Sequence, residues 1–324
     1  MDEFELIRHY FGQLTGVAET VALGIGDDAA LLQPPAAELL AVTTDTLIAG
    51  RHFPAATAPF DIGWKALAVN LSDLAAMGAR PYAFLLALSL PEALANDTGS
   101  GGWIASFAGG LQSLALQHGI CLVGGDITRG RLSITITALG SVPEKEALRR
   151  RGARAGDAVC VTGTLGDAAL ALQRLQTAAE PGGFVTEAGF LRQRLDRPCP
   201  RIAAGLALRG LAHAAIDLSD GLAGDLAHVL AASGVGAEIR IDALPMSPAF
   251  ERLHPPAERL RLQTCGGDDY ELCACIPAAR MAQARARLEV PLTEIGRIVA
   301  TPGLRWFDSA DRTFNAELHG YRHF

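Results

Sequence analysis

At 324 residues the chain is long enough for two domains with substantial cores, and its 49% hydrophobic content is that of a globular protein. A net charge of −7 argues against nucleic acid as the main partner, because binding to a phosphate backbone normally shows as a basic surface. The acidic start Met1-Asp2-Glu3-Phe4 is unlike the basic head of a signal peptide, and no apolar run approaches the roughly 18 residues of a membrane span, so a cytoplasmic protein is expected.

Phe4 to Phe11 has the spacing of a short amphipathic helix. Val17 to Gly26 then leads into Gly24-Ile25-Gly26-Asp27-Asp28-Ala29, which has the outline of a G-x-G-x-x-A dinucleotide turn. Such a turn must open a helix whose N-terminus holds a pyrophosphate, whereas here Pro34-Pro35 follows closely and two carboxylates would repel phosphate. Leu39 to Thr44 reads as a strand ending at Asp45, and Gly50 to Pro54 as a loop. His52 in that loop is either a substrate contact or a histidine in solvent.

The stretch from Asn70 to Pro81 reads as a helix stopped by Gly78 and Pro81. Leu67, Leu71, Leu74 and Gly78 draw one apolar stripe, and Ala66, Asn70, Asp73 and Met77 draw a second, mixed face. Asp73 in mid-helix competes with the backbone for hydrogen bonds and costs roughly half a kcal/mol relative to Ala, so another role has to offset it. Ala83 to Leu90 follows as a buried strand, Trp103 to His118 as a helix between glycines, and Ile120 to Val123 as a strand reaching Gly124-Gly125-Asp126. Leu132 to Leu139 alternates as a strand should.

Pro143 to Gly156 reads as a connector, with Arg149, Arg150, Arg151 and Arg154 close together. That cluster is either a solvated face or includes an arginine that reaches a phosphate. Beyond it come a strand at Ala158 to Thr162, a helix through Leu175, a loop at Ala178 to Thr186 and two helices flanking Pro198 and Pro200. A strand at Ala214 to Leu218 delivers Asp217-Leu218-Ser219-Asp220 to a helix at Gly221 to Ser233, for which Ser219 or Asp220 is a possible cap. The remaining strands are expected at Ala237 to Asp242, Tyr270 to Ile276, Ile295 to Val299 and Leu304 to Phe307, with a helix at Pro277 to Leu288. The two halves echo one another, with Leu-Ser-Asp at 71–73 and 218–220 and Gly-Gly-Asp at 124–126 and 266–268.

Six acidic stretches recur along this order: Gly24 to Asp28, Thr43 to Thr46, Asn70 to Asp73, Gly124 to Asp126, Asp217 to Gly221 and Gly266 to Glu271. If their carboxylates converge, each like-charged pair about 4 Å apart costs on the order of 4 kcal/mol at an effective dielectric near 20, which only cations make tolerable. Oxygen-only ligands without His or Cys nearby suit Mg²⁺ or Ca²⁺ rather than zinc. The six cysteines contain no C-x-x-C pair and read as buried thiols. Neither of the two lysines, Lys65 and Lys145, follows a glycine-rich loop, so the G-x-x-x-x-G-K-[ST] phosphate loop is absent. Phosphate charge is left to Arg, backbone N–H groups or metal.

In this order and at these separations, with Thr44-Asp45-Thr46-Leu47 followed by His52-Phe53, the stretches resemble the thiamine-monophosphate kinase family of the aminoimidazole-ribonucleotide-synthetase-like superfamily. The resemblance runs from Gly24 to the last residues. It implies an α+β two-domain fold: residues 1–142 form a metal- and ATP-binding domain whose mixed sheet pairs across a homodimer, and residues 143–324 form an α/β domain that completes the active site. The implied reaction moves the γ-phosphoryl group of ATP to thiamine monophosphate, giving thiamine diphosphate and ADP with several Mg²⁺ ions. Carried over by position, the magnesium ligands fall on Asp28, Thr43, Thr44, Asp45, Asp73, Asp126, Asp217 and Asp220. The ATP contacts fall on Gly125, Asp126, Arg150 and Ser219, and the substrate contacts on His52, Asp268 and Tyr321. At Thr43 either the backbone carbonyl or the hydroxyl is a possible ligand. The family usually has Glu where this chain has Asp268. No residue has to act as general base, because the acceptor phosphate oxygen is already anionic near neutral pH. A sister enzyme such as aminoimidazole ribonucleotide synthetase, a two-metal phosphohydrolase and a non-catalytic maturation scaffold are the rival readings.

Overall fold

A computed structural model describes residues 3–14, 20–97, 101–177, 185–254, 256–313, 318 and 320. The chain divides into two units, Met1–Leu74 with Ala79–Lys145, and Ala75–Gly78 with Glu146–Phe324.

The first unit opens with α1 (Glu3–Leu6), which passes into a π-helical turn at Ile7–Phe11 and a 3₁₀ turn at Gly12–Leu14. The expected amphipathic helix is therefore α-helical only in its first turn. Strands β1 (Val21–Leu23) and β2 (Leu31–Leu32) pair antiparallel, and Gly24 to Ala29 lies between them. That glycine-containing turn returns into a strand and opens no helix, as the argument against a dinucleotide site requires.

Next come β3 (Glu38–Ile48), α2 (Pro59–Ala76), β4 (Arg80–Leu90), α3 (Glu92–Ala95), α4 (Trp103–His118), β5 (Cys121–Arg129) and β6 (Ser133–Pro143). The four long strands form a mixed sheet in the order β3-β6-β4-β5, parallel only between β4 and β5. Two expected boundaries shift. Strand β3 runs on to Ile48, so Asp45 lies in mid-strand opposite Ile136 rather than after a strand end. Gly124-Gly125-Asp126 likewise lies inside β5, in register with Leu85, Leu86 and Ala87.

The unit's core gathers on one face of this sheet. Leu67, Leu71 and Leu74 of α2 and Ile104, Phe107, Leu111 and Leu114 of α4 are fully buried, as are Phe84 and Leu88 of β4. The two helices touch backbone to backbone. A Cβ at Gly63 would come within 2.1 Å of the Phe107 carbonyl oxygen, and one at Gly110 within 1.9 Å of that of Phe60, so only glycine permits this approach. The opposite face carries Leu40, Val42, Thr44, Thr46 and Ile48 of β3, in register with Ser141, Leu139, Thr137, Thr135 and Ser133 of β6. Along it the hydroxyls of Thr44 and Thr137 meet at 3.0 Å and those of Thr46 and Thr135 at 2.8 Å.

The second unit begins with β7 (Asp157–Thr162), α5 (Asp167–Gln176), α6 (Val185–Asp196), α7 (Ile202–Leu208), β8 (Ala214–Asp217), α8 (Leu222–Ser233) and β9 (Gly236–Arg240). It continues through α9 (Pro248–Leu253), α10 (Pro256–Cys265), β10 (Leu272–Pro277), α11 (Met281–Arg287), β11 (Leu292–Val299) and β12 (Gly303–Phe307). Six strands form one sheet in the order β12-β9-β11-β7-β10-β8, parallel only between β12 and β9. Every residue of the inner strand β7 is buried, and Val159 and Val161 sit in the core with Ile216, Leu226, Ile239 and Ile295. A smaller core forms around Phe250, Leu170, Leu191 and Leu195.

Strand β10 starts two residues later than expected because Asp268 and Tyr270 have φ of 69° and 49°, left-handed values that no strand accommodates. Strand β9 stops at Arg240 because Ile241–Ala243 form a 3₁₀ turn. Of the loop expected at Ala178 to Thr186, residues 178–184 lie outside the described residues. All six cysteines are free, and Cys121, Cys160, Cys273 and Cys275 are buried, in keeping with buried thiols. Burial pushes the Cys160 thiol up to about 12, which removes it from nucleophilic chemistry near neutral pH.

Candidate functional site

In the first unit, α2 and β3 bring two of the expected ligands together. The Thr43 hydroxyl donates a hydrogen bond to Oδ2 of Asp73, which sets the mid-helix carboxylate against the sheet. Alternation along β3 puts the Thr43 and Asp45 side chains on the core-facing side and that of Thr44 on the open side, where its hydroxyl bonds the Ile136 carbonyl at 3.1 Å. If Thr44 ligates together with its neighbours, it does so through its backbone.

Asp126 is exposed and in register with Ala87, while Gly125 has φ 150° and faces Leu86. A Cβ there would lie 1.9 Å from the Leu86 carbonyl oxygen, so the sheet itself demands glycine at this position. Asp28 is exposed, and its N–H donates to Oδ1 of Asp27 at 2.9 Å. His52 is half-buried, and its Nδ1 accepts from the Ile48 N–H at 3.0 Å, which orients the ring and fixes its tautomer with the remaining proton on Nε2 when neutral.

In the second unit, β8 ends at the buried Asp217, opposite Leu272, and hands the chain to Leu218-Ser219-Asp220-Gly221. The N-cap of α8 is Gly221, with no side-chain cap, so neither Ser219 nor Asp220 is used for capping. This loop is tied to the segment before β10 by a short ladder. The Asp268 N–H donates to the Ser219 carbonyl at 2.9 Å, the Tyr270 N–H to that of Leu218 at 2.8 Å, and the Leu218 N–H to that of Glu271 at 2.8 Å. Ser219, Asp220 and Asp268, expected from distant stretches, are thus neighbours. Tyr321 lies outside the described residues.

Two groups of residues had no assigned role in the sequence and acquire one here. Asp225, on the first turn of α8, accepts the Asp220 N–H at 3.0 Å. Burial is the main cause that pushes its carboxyl up to about 7; the like charge of Asp220 adds to this, while N–H donors of Asp220 and Ser219 and the charge of Arg150 oppose it. That field marks Arg150 apart from Arg149 and Arg151, although all three are exposed. The only signal in the sequence was an acid in a helix's first turn, which dipole complementarity explains as well.

The second group is a buried ionic cluster behind Asp268. Both Asp269 oxygens accept the Gly166 N–H at 3.0 Å. Glu271, fully buried, accepts from Thr162 at 2.7 Å, from Arg194 at 2.9 Å and from Arg201 through Nε at 2.6 Å. Burial raises the Asp269 carboxyl well above the usual carboxylate range, with the Gly166 N–H and Arg194 pulling the other way.

The donors expected for a metal are all oxygens, a set that fits a hard cation such as Mg²⁺ and not zinc. Among the described residues, no three His, Cys, Asp or Glu side chains gather closely enough to hold an ion. The donor chemistry fits, and two of the expected ligands, Thr43 and Asp73, are joined by a side-chain hydrogen bond.

Residues 26–142 match the AIR synthase related protein N-terminal domain, and residues 154–308 match the corresponding C-terminal domain. The thiamine-monophosphate kinase of Salmonella typhimurium is 46% identical over 331 residues, spanning 99% of this chain and 98% of that protein. The chain belongs to the thiamine-monophosphate kinase family. The crystal structure of the family's representative from Stenotrophomonas maltophilia K279a is 48% identical, with a TM-score of 0.86 over 94% of this chain and 96% of that one. AaThiL, solved in complex with AMPPCP and TMP, is 31% identical, with a TM-score of 0.76 over 99% of this chain and 97% of that one. Asp268 has φ 69°, a conformation that Asp tolerates better than most residues because its short polar side chain bonds locally.

Proposed function

We infer that the chain catalyses ATP-dependent phosphorylation of thiamine monophosphate to thiamine diphosphate, a step of thiamine biosynthesis. The observation that carries this reading is identity of 46% to a thiamine-monophosphate kinase sustained over 99% of the chain, with a likeness of similar extent to a structure that holds AMPPCP and TMP.

Joining two phosphates brings two polyanions together, so catalysis is mainly positioning and electrostatic stabilisation. In the first unit, Asp28, Thr43, Thr44, Asp45, Asp73 and Asp126 would hold magnesium, and in the second Asp217 and Asp220 would do so. When bound, the metal supplies positive charge beside phosphate oxygens. Thr43 orients the Asp73 carboxylate through its hydroxyl, and Asp225 holds the Asp220 backbone from beneath. Gly125, Asp126, Ser219 and Arg150 contact ATP in this reading, Arg150 with a planar fork that clamps phosphate oxygens bidentately. His52, Asp268 and Tyr321 contact the acceptor, where a carboxylate accepts from the aminopyrimidine or offsets the thiazolium charge and an aromatic face attracts that cation. No side chain has to remove a proton, because the attacking phosphate oxygen is anionic.

Residues 1–142 are proposed as the metal- and ATP-binding and dimerisation domain and residues 143–324 as the domain that completes the site. The open face of the first sheet supports a homodimer, since it leaves Val42 58%, Leu40 48% and Ile48 45% exposed on β3 and Leu85 38% exposed on β4, the two strands that flank β6. Among the described residues no helix is long and apolar enough to cross a membrane, and a cytoplasmic enzyme is proposed. ADP release measured with ATP and Mg²⁺ tests the reaction class. Release that requires thiamine monophosphate supports the kinase, release without any acceptor supports a phosphohydrolase, and release with an aminoimidazole precursor alone supports the sister enzyme.

A further inference from the structure

The segment Gly266 to Glu271 carries two non-glycine residues in left-handed backbone, Asp268 at φ 69° and Tyr270 at φ 49°. For a bulky residue such as Tyr this conformation is a genuine outlier, and it persists only where the surroundings over-determine it. Here they do. Asp269 is pinned to the Gly166 N–H and Glu271 to Thr162, Arg194 and Arg201, while the intervening N–H groups of Asp268 and Tyr270 are bonded to Ser219 and Leu218. The residues thus held in strain are joined through their side chains: the buried Tyr270 donates its phenolic O–H to Oδ1 of the partly buried Asp268 at 3.1 Å.

Packing accounts for the ring of Tyr270 but does not require its hydroxyl. The last torsion of an Asp side chain is broad and roughly two-fold, so a single donor fixed in the core is enough to select one carboxylate plane. We propose that Tyr270 is a positioning residue for the acceptor: its phenol sets the Asp268 carboxylate toward a cationic, hydrogen-bond-donating heteroaromatic phosphate ester. The assignment rests on the reading of Asp268 as an acceptor contact. The strained turn and its clamp of buried charge hold the phenol within reach of the Asp268 carboxylate.

Steady-state kinetics of Tyr270→Phe with thiamine monophosphate, ATP and Mg²⁺ test this, because the variant removes one oxygen and keeps the ring. The KM for thiamine monophosphate should rise about tenfold, the scale of a hydrogen bond to a charged group, while the KM for ATP and kcat stay within about twofold. In an Asp268→Ala background the same change should have no further effect, since the carboxylate it orients is gone. An unchanged acceptor KM, equal rises for both substrates, or full additivity with Asp268→Ala would overturn the assignment alone. Wild-type protein that turns over no thiamine monophosphate would overturn the functional reading and this assignment with it.

Discussion

The hydroxyl of Thr43, in the middle of β3, donates a hydrogen bond to the carboxylate of Asp73, in the last third of α2. A residue ill suited to a helix and a residue on the core face of a strand thereby become one polar unit joining helix to sheet. Asp73→Asn keeps the size and a possible partner for Thr43, so the fold should survive. Transfer activity should fall by about 10² to 10³, the scale seen when one group that stabilises developing charge is removed. Thr43→Val should lower stability by roughly 1.5–3 kcal/mol, because it strips a donor from a charged group. Thermal unfolding and kcat measured on both variants check this, and Asp73→Asn with full activity at ordinary Mg²⁺ would exclude a ligand role.

Asp225 makes stability depend on pH. Its carboxyl is raised by burial from 3.8 to about 7 in the folded protein, so between those values the native chain keeps a proton that the unfolded chain releases. Stability therefore falls as pH rises through this window and levels off above it, by up to about 4 kcal/mol for a shift of this size. Asp225→Asn is neutral throughout and should gain on the wild type by a few kcal/mol between pH 5 and pH 8 in urea denaturation. An identical difference at both pH values would contradict the raised carboxyl.

Neighbouring glycines separate sheet geometry from ligand contact. A Cβ at Gly125 would lie 1.9 Å from a backbone oxygen of β4, whereas one at Gly124 would lie 3.2 Å from the flexible end of Leu85. Gly125→Ala should cost several kcal/mol or prevent folding, and Gly124→Ala should cost less than about 1.5 kcal/mol. Circular dichroism and denaturant midpoints distinguish the two.

The open sheet face should be the dimer contact. Val42→Glu places a charge beside Leu40 and opposite Leu139, where a second copy would have to desolvate it. Analytical ultracentrifugation should find the wild type dimeric and Val42→Glu monomeric with its first unit still folded. A wild type that sediments as an active monomer when dilute would reject the pairing.

What the sequence made legible was local. Trp103 to His118 reads as a helix because glycines bound it on both sides and its apolar spacing is regular, and the structure has α4 over the same residues. Asp73 stood out because a carboxylate in mid-helix conflicts with propensity. Asp45 reads as the end of a strand because Thr43-Thr44-Asp45-Thr46 breaks the apolar run, yet cross-strand pairing with β6 carries the strand to Ile48. The ladder joining Asp268 to Ser219 was not legible at all, since it links stretches some fifty residues apart through backbone groups that leave no compositional trace. Tyr270 looked like the start of a strand for the same reason: β propensity favours Tyr, and only the tertiary clamp of Asp269 and Glu271 explains its left-handed backbone.

The most direct measurement of the central claim is product formation from two acceptors that differ by one phosphate. With ATP and Mg²⁺, thiamine monophosphate should yield thiamine diphosphate and ADP in equal amounts by chromatography, and unphosphorylated thiamine should yield neither, because its hydroxyl lacks both the anionic oxygens and the reach. Equal turnover of thiamine and its monophosphate, or ADP release that ignores both, would contradict the account.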